Sequence, residues 1–455
     1  MPFVIDNAAH RAAIEALASG TREEGLDVTL EMVPRNCHLA PPYHKVSVPG
    51  FTVNGELVAY ASPDSTFAVT KRLIDAAKKT IAIGMYDFTA TYVATLLKDA
   101  MARGVKVTLM LDTDHVAGED AIFKNLADLG ARCVPAPSCA SPQKVCVFRS
   151  AHEKFIVIDG ETCLIQSGNF SNNSLPMNVG DGVADGHFRT GNRDMGVAVQ
   201  SKALAKFLTG ILDSDMKLET DGKAGATPEE AAEPPPVLVE AAPGKRPTRL
   251  FPSKTFALTS PLPVQLILSP DNYMQILPAV LAKAKKSVLI QQQYIHSADA
   301  SIAQLLRSIA DARKKAPKLD VRIFLGKIFD DKALQKEKVN LQNLADTYGL
   351  KLGVNIRYVD TTRLVHCHNK LVLIDGTTVL VSSQNWSNAA VNDNREAGLL
   401  FDHKGVASYF TQIFETDWAV AQKKLPTHIA SGGVSTEALA GGGYIEVTPA
   451  DYQEV

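Results

Sequence analysis

Two stretches of the chain run through the same succession of apolar and polar positions. Each opens on Ser-Pro-Asp, at 62–64 and at 269–271, and continues as an apolar-periodic helix ending near Lys-Lys at 78–79 and 285–286. Helix-end lysines of this kind complement the helix dipole. A β-rich run follows in each, TIAIGMY to Tyr86 and SVLIQQQY to Tyr294. The helical strings ATLLKDAMARG and SIAQLLRSIADARKK then lead to VKVTLMLD and LDVRIFLG. Strands alternating with helical runs of this length predict a parallel-type α/β sheet covered by helices. Further on, FIVIDG and LVLIDG each precede a second β-rich run, and Asp-Gly between two such runs signals a hairpin.

The repetition becomes specific just before those hairpins. His152-Glu153-Lys154 is followed by Asp159, Ser167 and Asn169, and His368-Asn369-Lys370 by Asp375, Ser383 and Asn385. The offsets from the histidine are identical, and 11 of 23 positions match between 152–174 and 368–390, so the two halves are an internal duplication. On a strand, side chains alternate faces. His152 and Lys154 therefore share a face, as do His368 and Lys370, with Glu153 and Asn369 turned to the other side. Ser167 and Asn169, and likewise Ser383 and Asn385, also point together.

Each half thus offers an imidazole, an ammonium, a hydroxyl and an amide to one place. Phosphate chemistry needs such a set, because the negative charge on the non-bridging oxygens persists through transfer and fixed donors stabilise it. Two histidines can divide the work, one neutral and attacking phosphorus, the other protonated and serving the leaving alcohol, then activating water. An imidazole presents the correct nitrogen only when an acceptor holds the other. Asn192-Arg193-Asp194 and Asn394-Arg395-Glu396 supply a candidate carboxylate in the same frame in both halves, with 14 extra residues before the first, in the loop around VGDGVADGHF.

These motifs resemble those of the phospholipase D superfamily, whose signature is H-x-K-x4-D followed by Ser and Asn, over roughly residues 59–420. The resemblance implies a bilobal pseudo-twofold α/β fold: two α/β/α sandwich lobes, one active site at their interface, a phosphohistidine intermediate, and neither metal nor cofactor. It implies His152 as nucleophile, His368 as acid/base, Asp194 and Glu396 as the carboxylates orienting them, and Lys154, Lys370, Asn169 and Asn385 as phosphate ligands, with Ser167 and Ser383 alongside. Asp159 and Asp375 are expected to fix the turn and the lobe contact. Gln166 and Ser382 stand where many lipases of the family carry Gly before the motif serine, so the family does not by itself name the substrate.

The expected organisation is an N-terminal extension packed on the first lobe (1–58), a first lobe (59–215), a Pro-rich linker (216–263), a second lobe (264–420) and a Gly-rich tail (421–455). Within the extension, a helix near 8–18 and an Asn54-Gly55 hairpin are expected. The linker's run Pro234-Pro235-Pro236 among Ala and Glu has too little apolar surface to order itself. With 47 basic and 49 acidic residues the net charge is −2, which argues against binding nucleic acid through a broad basic surface. No stretch approaches the roughly 18 apolar residues of a membrane span, and the start lacks the layout of a secretory signal. Cytoplasmic residence is the default expectation, with leaderless export as the alternative. The six cysteines (37, 133, 139, 146, 163, 367) show no C-x-x-C spacing and read as buried thiols, or as a disulfide in an exported form.

Other chemistry-bearing residues have plainer readings beside them. His366 is expected to be structural or to support His368. Tyr86 and Tyr294 either line the entrance or pack, while Phe170 and Trp386 pack. Asp181, Asp185 and His187 could be drawn as a metal site but read as a solvated loop. Arg313-Lys314-Lys315 reads as a solvated helix end, and Leu175, Pro176 and Met177 as loop residues able to meet a lipid interface. The leading expectation is a phosphoric diester hydrolase acting on phospholipid head groups at a membrane surface, giving phosphatidic acid and an alcohol. Its rivals are a metal-independent nuclease and, from another class, a phosphate-binding scaffold built on a dead enzyme.

Overall fold

The computed structural model describes residues 43–113, 118–139, 146–177, 187–188, 191–221, 248–249 and 251–429. The strands in chain order are β1 (Gly50–Ser62), β2 (Thr80–Met85), β3 (Lys106–Leu111), β4 (Arg132–Pro135), β5 (Phe155–Ile158), β6 (Thr162–Gln166), β7 (His187–Phe188), β8 (Asp194–Gln200) and β9 (Thr248–Arg249). They continue as β10 (Lys254–Ala257), β11 (Leu262–Ser269), β12 (Ser287–Gln292), β13 (Asp320–Leu325), β14 (Ile356–Tyr358), β15 (Leu371–Ile374), β16 (Thr378–Ser382) and β17 (Glu396–Asp402). Apart from the short β7–β9 pair, all join one sheet, in the order β14-β13-β12-β15-β16-β17-β11-β1-β8-β6-β5-β2-β3-β4, with β10 on β1.

The sheet is mixed rather than parallel throughout. Among the described strands, β2-β3-β4 and β12-β13-β14 pair in parallel, through helical crossovers. Each half closes with antiparallel pairs, because the Asp-Gly turns fold β5 back on β6 and β15 back on β16. Asp159 and Gly160 have φ of 54° and 66°, and Asp375 and Gly376 55° and 69°. Two successive positive φ angles are what a two-residue hairpin turn needs to match strand twist.

The helices bury one stripe. In Ala300–Lys315 the covered residues include Ile302, Leu305, Leu306, Ile309 and Ala312, the spacing of a single helix face. Lobe-specific cores form around Leu97, Leu109 and Ile156 in the first half and around Leu305, Ile323 and Val372 in the second. A third core belongs to both: it gathers Phe155, Val197 and Leu208 with Leu371, Leu399 and Phe410. The helices Lys202–Thr220 and Lys404–Val420 contribute to it, so the lobes are packed as one body.

Several expected boundaries shift. The division at 58/59 falls inside β1, a continuous strand through Asn54 and Gly55 with a register shift there, so no hairpin forms. Residues 50–53 of β1 pair with β11 of the second lobe. The described residues of the extension reach both lobes: Asp271 accepts from Tyr43 Oη at 2.5 Å and from Val46 N at 2.7 Å, while Tyr43 packs edge-on against Phe148 and residues 57–58 pair with β8. The linker is shorter than its composition suggested. Helix Lys202–Thr220 enters it from one side, and β10 leaves it to pair with β1. Residues 8–18, Pro234–Pro236, Asp181, Asp185 and the glycines beyond 429 lie outside the described residues. Cys139 and Cys146 are disulfide-paired, against the simpler expectation of free thiols, while Cys163 and Cys367 are buried and free and Cys133 is half-buried.

Candidate active site

The two His-x-Lys segments lie just before β5 and β15 and are held extended by the opposite lobe. His152 N donates to Arg395 O at 2.7 Å and Arg395 N to Ser150 O at 2.8 Å. The pseudo-twofold copy is Arg193 N to His366 O at 2.8 Å and His368 N to Arg193 O at 3.0 Å. Each catalytic-motif backbone therefore forms a small ladder with the Asn-Arg-acid segment of the other half.

That ladder exchanges the carboxylates. His152 Nδ1 lies 3.0 and 2.9 Å from the Glu396 oxygens, and His368 Nδ1 lies 2.9 Å from Asp194 Oδ1. Each histidine is thus oriented by the lobe to which it does not belong, with Nδ1 committed to the carboxylate and Nε2 the ring's other nitrogen. All four side chains are buried, which excludes water from the dyads.

The neighbouring arginines explain the precision of the exchange. Arg193 bonds Asp64 at 2.6 Å in its own lobe and Asp417 at 2.8 and 3.0 Å in the other. Arg395 bonds Asp271 at 2.7 Å and Asp215 at 2.7 and 2.9 Å in the mirrored sense. A buried guanidinium with two carboxylates keeps the planar fork satisfied on both edges. The acids were visible in the sequence: Asp64 and Asp271 belong to the repeated Ser-Pro-Asp, and Asp215 and Asp417 each lie 22 residues after the arginine of their own lobe, although each bonds the arginine of the other.

Lys154 Nζ reaches His152 O at 2.5 Å and stands 4.9 Å over the Tyr86 ring, while Lys370 Nζ bonds His368 O and lies 3.4 Å from Gln293 Oε1. Burial lowers Lys154 to about 7, with Lys370 also pushing down against the pull of Glu396; burial lowers Lys370 to about 8. Burial and the Lys370 charge push His368 down to about 4, against Asp194, and Lys154 also acts on it. Groups from both lobes therefore share one electrostatic cluster. Asp194 feels burial too, yet His368 and Lys370 hold it below the usual carboxylate range. Glu396 is raised by burial to about 8, Lys154 pulling the other way.

The serines differ from expectation. Ser167 Oγ donates to Asp194 Oδ1 at 2.7 Å and accepts from Met195 N at 3.0 Å. Ser383 accepts from Ala397 N at 3.0 Å and bonds Glu396. Both hydroxyls brace the orienting carboxylates rather than facing a phosphate. Asn169 and Asn385 are buried, with carbonyl oxygens lacking a hydrogen-bond partner. Asp159 and Asp375 hold the turn but make no lobe contact: Asp159 accepts from the amides of Lys78, Lys79 and Thr80, and Asp375 from those of Lys285, Lys286 and Ser287. The paired lysines thus lie past the helix ends at Ala76 and Leu281, and their amides matter there rather than their charge.

Sequence reasoning sent residues 153 and 369 away from the site, yet Asn369 joins its hydrogen-bond network. Asn369 accepts from Ser167 Oγ of the other lobe at 3.1 Å and donates to Gln291 at 2.7 Å. Glu153 is buried with neither oxygen bonded, and burial lifts it to about 8. His366 packs against Gly326, where a Cβ would lie 2.1 Å from its ring, and its Nδ1 accepts from Lys327 N at 2.9 Å. Tyr86 is buried edge-on to His152, ring centroids 4.6 Å apart, whereas Tyr294 stacks on His296. Trp386 and Phe170 are core residues, as is Leu175; Met177 is exposed.

Two buried imidazole–carboxylate dyads with two buried ammonium groups define a phosphoryl-transfer enzyme of the two-histidine kind. The sequence profile described as "Cardiolipin synthase, PLD-like domain" matches residues 70–216 and 277–418. The chain belongs to the phospholipase D superfamily. It is 32% identical to the virion nicking-joining enzyme of Vaccinia virus (strain Western Reserve) over 94 residues, 19% of this chain and 22% of that one. It is 35% identical to the mitochondrial cardiolipin hydrolase of Xenopus tropicalis over 66 residues, 14% and 30% of the two chains. The chain thus spans under a third of the length of these curated relatives. The fold is similar to that of phosphatidylserine synthase from Haemophilus influenzae Rd KW20, with a TM-score of 0.54, 14% identity, and coverage of 84% of this chain and 90% of that one.

Proposed function

We propose that this phosphodiesterase hydrolyses phospholipids at the head-group ester, with His152 as nucleophile and His368 as acid/base. The observation that supports this chemistry is the crossed pair of dyads, one imidazole oriented from each lobe, with Lys154 of the first lobe acting on His368 of the second. In the first step His152 Nε2 forms a bond to phosphorus, and the oxygen–phosphorus bond to the leaving alcohol breaks as His368 gives that oxygen a proton. In the second, His368 takes a proton from water, the hydroxide bonds to phosphorus, and the phosphorus–nitrogen electron pair returns to His152. Lys154 and Lys370, with Asn169 and Asn385, stabilise the charge on the non-bridging oxygens. The near-neutral net charge favours lipid over polynucleotide as the diester.

The test is product analysis on mixed vesicles and single-stranded oligonucleotides. Phosphatidic acid with free head-group alcohol is the expected result, lost in His152→Ala. Oligonucleotide cleavage without lipid turnover favours the nuclease reading, which the similarity to the viral nicking-joining enzyme supports. Equal, near-zero hydrolysis of bis(p-nitrophenyl) phosphate by wild type and His152→Ala favours the scaffold.

A further inference from the structure

The tyrosines that close corresponding strands, Tyr86 and Tyr294, are not counterparts in the duplication. Ile83 of β2 pairs with Ile156, four residues after His152, and Ile290 of β12 pairs with Val372, four after His368. Three residues further along, Tyr86 therefore corresponds to Gln293, and Tyr294 to Asp87. The lysines agree with that register. Lys154 Nζ stands 4.9 Å over the Tyr86 ring, and Lys370 Nζ lies 3.4 Å from Gln293 Oε1. One position of the repeat thus meets the motif lysine in each lobe, as a ring in the first and as an amide in the second.

The first-lobe ring meets a second member of the site as well. Tyr86 packs edge-on to His152, with centroids 4.6 Å apart and planes at 63°. For His368 the neighbouring ring is that of His366, 6.3 Å away. Burial, with the carboxylates of Asp112, Glu119 and Asp87, raises the Tyr86 phenol well above its ordinary value. The ring is therefore neutral, and Lys154 meets its π face rather than a phenolate. A cation on such a face is stabilised most where water is excluded, and an edge-on aromatic pair has a preferred geometry. The bond from His152 Nδ1 to Glu396 fixes one point of the imidazole but not its twist about that point. The Tyr86 contact limits the twist.

Resting on the reading of His152 as nucleophile, we infer that Tyr86 is a positioning residue: its ring sets the His152 imidazole for attack and holds the Lys154 ammonium beside it. Attack requires the reacting nitrogen on one line to phosphorus, where a small misplacement costs much of the rate. His368 serves two oxygens in succession, the leaving alcohol and then water. Its half of the repeat carries Gln293, which ties the lysine and offers the imidazole no ring.

The test compares Tyr86→Leu, Tyr86→Phe and Tyr86→Gln in the whole protein. Turnover of bis(p-nitrophenyl) phosphate reads the imidazole. Carbon-13 lysine NMR, with Lys154 assigned through Lys154→Ala, reads the ammonium. Lys154 faces Glu396, Lys370 and His368 of the second lobe and Glu153, Asp87 and Asp112 of its own, all of which the three variants keep. Tyr86→Leu is expected to lower kcat about tenfold or more with KM little changed, as misplacing a reacting group by about 1 Å costs up to about 10²-fold. Its Lys154 is expected to lose the proton about one pH unit lower, the effect of losing a desolvated cation–π contact. Tyr86→Phe returns the ring without the hydroxyl and is expected to recover both. Tyr86→Gln, which installs the second-lobe amide, is expected to recover the Lys154 titration but not kcat. Wild-type kcat in Tyr86→Leu, or Tyr86→Phe as slow as Tyr86→Leu, overturns the inference. So does a Lys154 titration in Tyr86→Leu that matches wild type. Should Tyr86→Leu fail to fold, equal kcat in Tyr86→Phe and Tyr86→Gln overturns it instead. If the wild type does not turn over bis(p-nitrophenyl) phosphate, the phosphodiesterase reading fails, while the Lys154 titrations still decide whether Tyr86 holds the ammonium.

Discussion

The two lobes carry the same motif in unlike surroundings. At the end of β3, Asp112 accepts from Ala151 N at 2.8 Å and from Ser138 Oγ. At the end of β13 the same position is Gly326, and His366 fills the space from the neighbouring segment, where the first lobe has Ser150. His368 has an aspartate held ionised, braced by Ser167, which also touches Asn369. His152 has a glutamate that burial holds against ionisation. The duplication kept the His, Lys, Ser and Asn of the motif, while the shell around them diverged, so two chemically distinct histidines arise from one repeated motif.

The comparison is broken most severely at the histidines. His152→Ala and His368→Ala are each expected to lower kcat on bis(p-nitrophenyl) phosphate by about 10³-fold or more, given the roughly 10²–10⁴-fold worth of general acid–base catalysis alone. Only His152→Ala should abolish acid-labile phosphate incorporation into quenched enzyme. Incorporation that vanishes in His368→Ala but persists in His152→Ala reverses the roles.

Next come the arginine clamps. Removing Arg193 or Arg395 leaves two buried carboxylates facing each other, a loss of about 3–5 kcal/mol by analogy with other broken buried pairs. Denaturant unfolding of Arg193→Ala and Arg395→Ala is expected to show similar losses, since each clamp spans both lobes. A loss in one variant alone contradicts the symmetric arrangement.

Much of this was legible in the sequence. Short β-rich runs on either side of the Asp-Gly pairs located β5–β6 and β15–β16, because hairpin turns impose local backbone requirements that residues advertise. The crossed dyads were not legible, since equal offsets within two copies cannot say which copy's carboxylate meets which imidazole. The role of Asn369 was missed for a related reason. Face alternation is a rule for strands, and His-x-Lys precedes β5 and β15, held by the opposite lobe instead. The Ser-Pro-Asp repeat was noticed without its partner, because Asp64 and Arg193 meet only in the folded chain.

Proton inventory sharpens the comparison further. Burial lowers Lys154 to about 7 and Lys370 to about 8, so an entering anion, which favours their charged forms, draws protons in. At pH 8, calorimetry with sulfate in two buffers of different ionisation enthalpy is expected to show net proton uptake. Release, or no exchange, contradicts the lowered values.

The smallest effect concerns Glu153. Its folded carboxyl is raised to about 8, so its contribution favours the folded state at low pH and is lost as pH rises from its unfolded value through 8. Glu153→Gln removes that loss. At pH 9 the variant is expected to melt higher than wild type, by about 2–4 °C for each kcal/mol recovered, and the gap should shrink below pH 4.5. A gap independent of pH contradicts the assignment.

The central claim is that each lobe's carboxylate serves the other lobe's imidazole. Nitrogen-15 histidine NMR of Asp194→Asn and Glu396→Gln measures it directly, with resonances assigned through the His152→Ala and His368→Ala variants. The account predicts that Asp194→Asn moves the His368 titration and leaves His152 nearly in place, and that Glu396→Gln does the converse. Asp194→Asn perturbing His152 while His368 stays unmoved is the result that contradicts it.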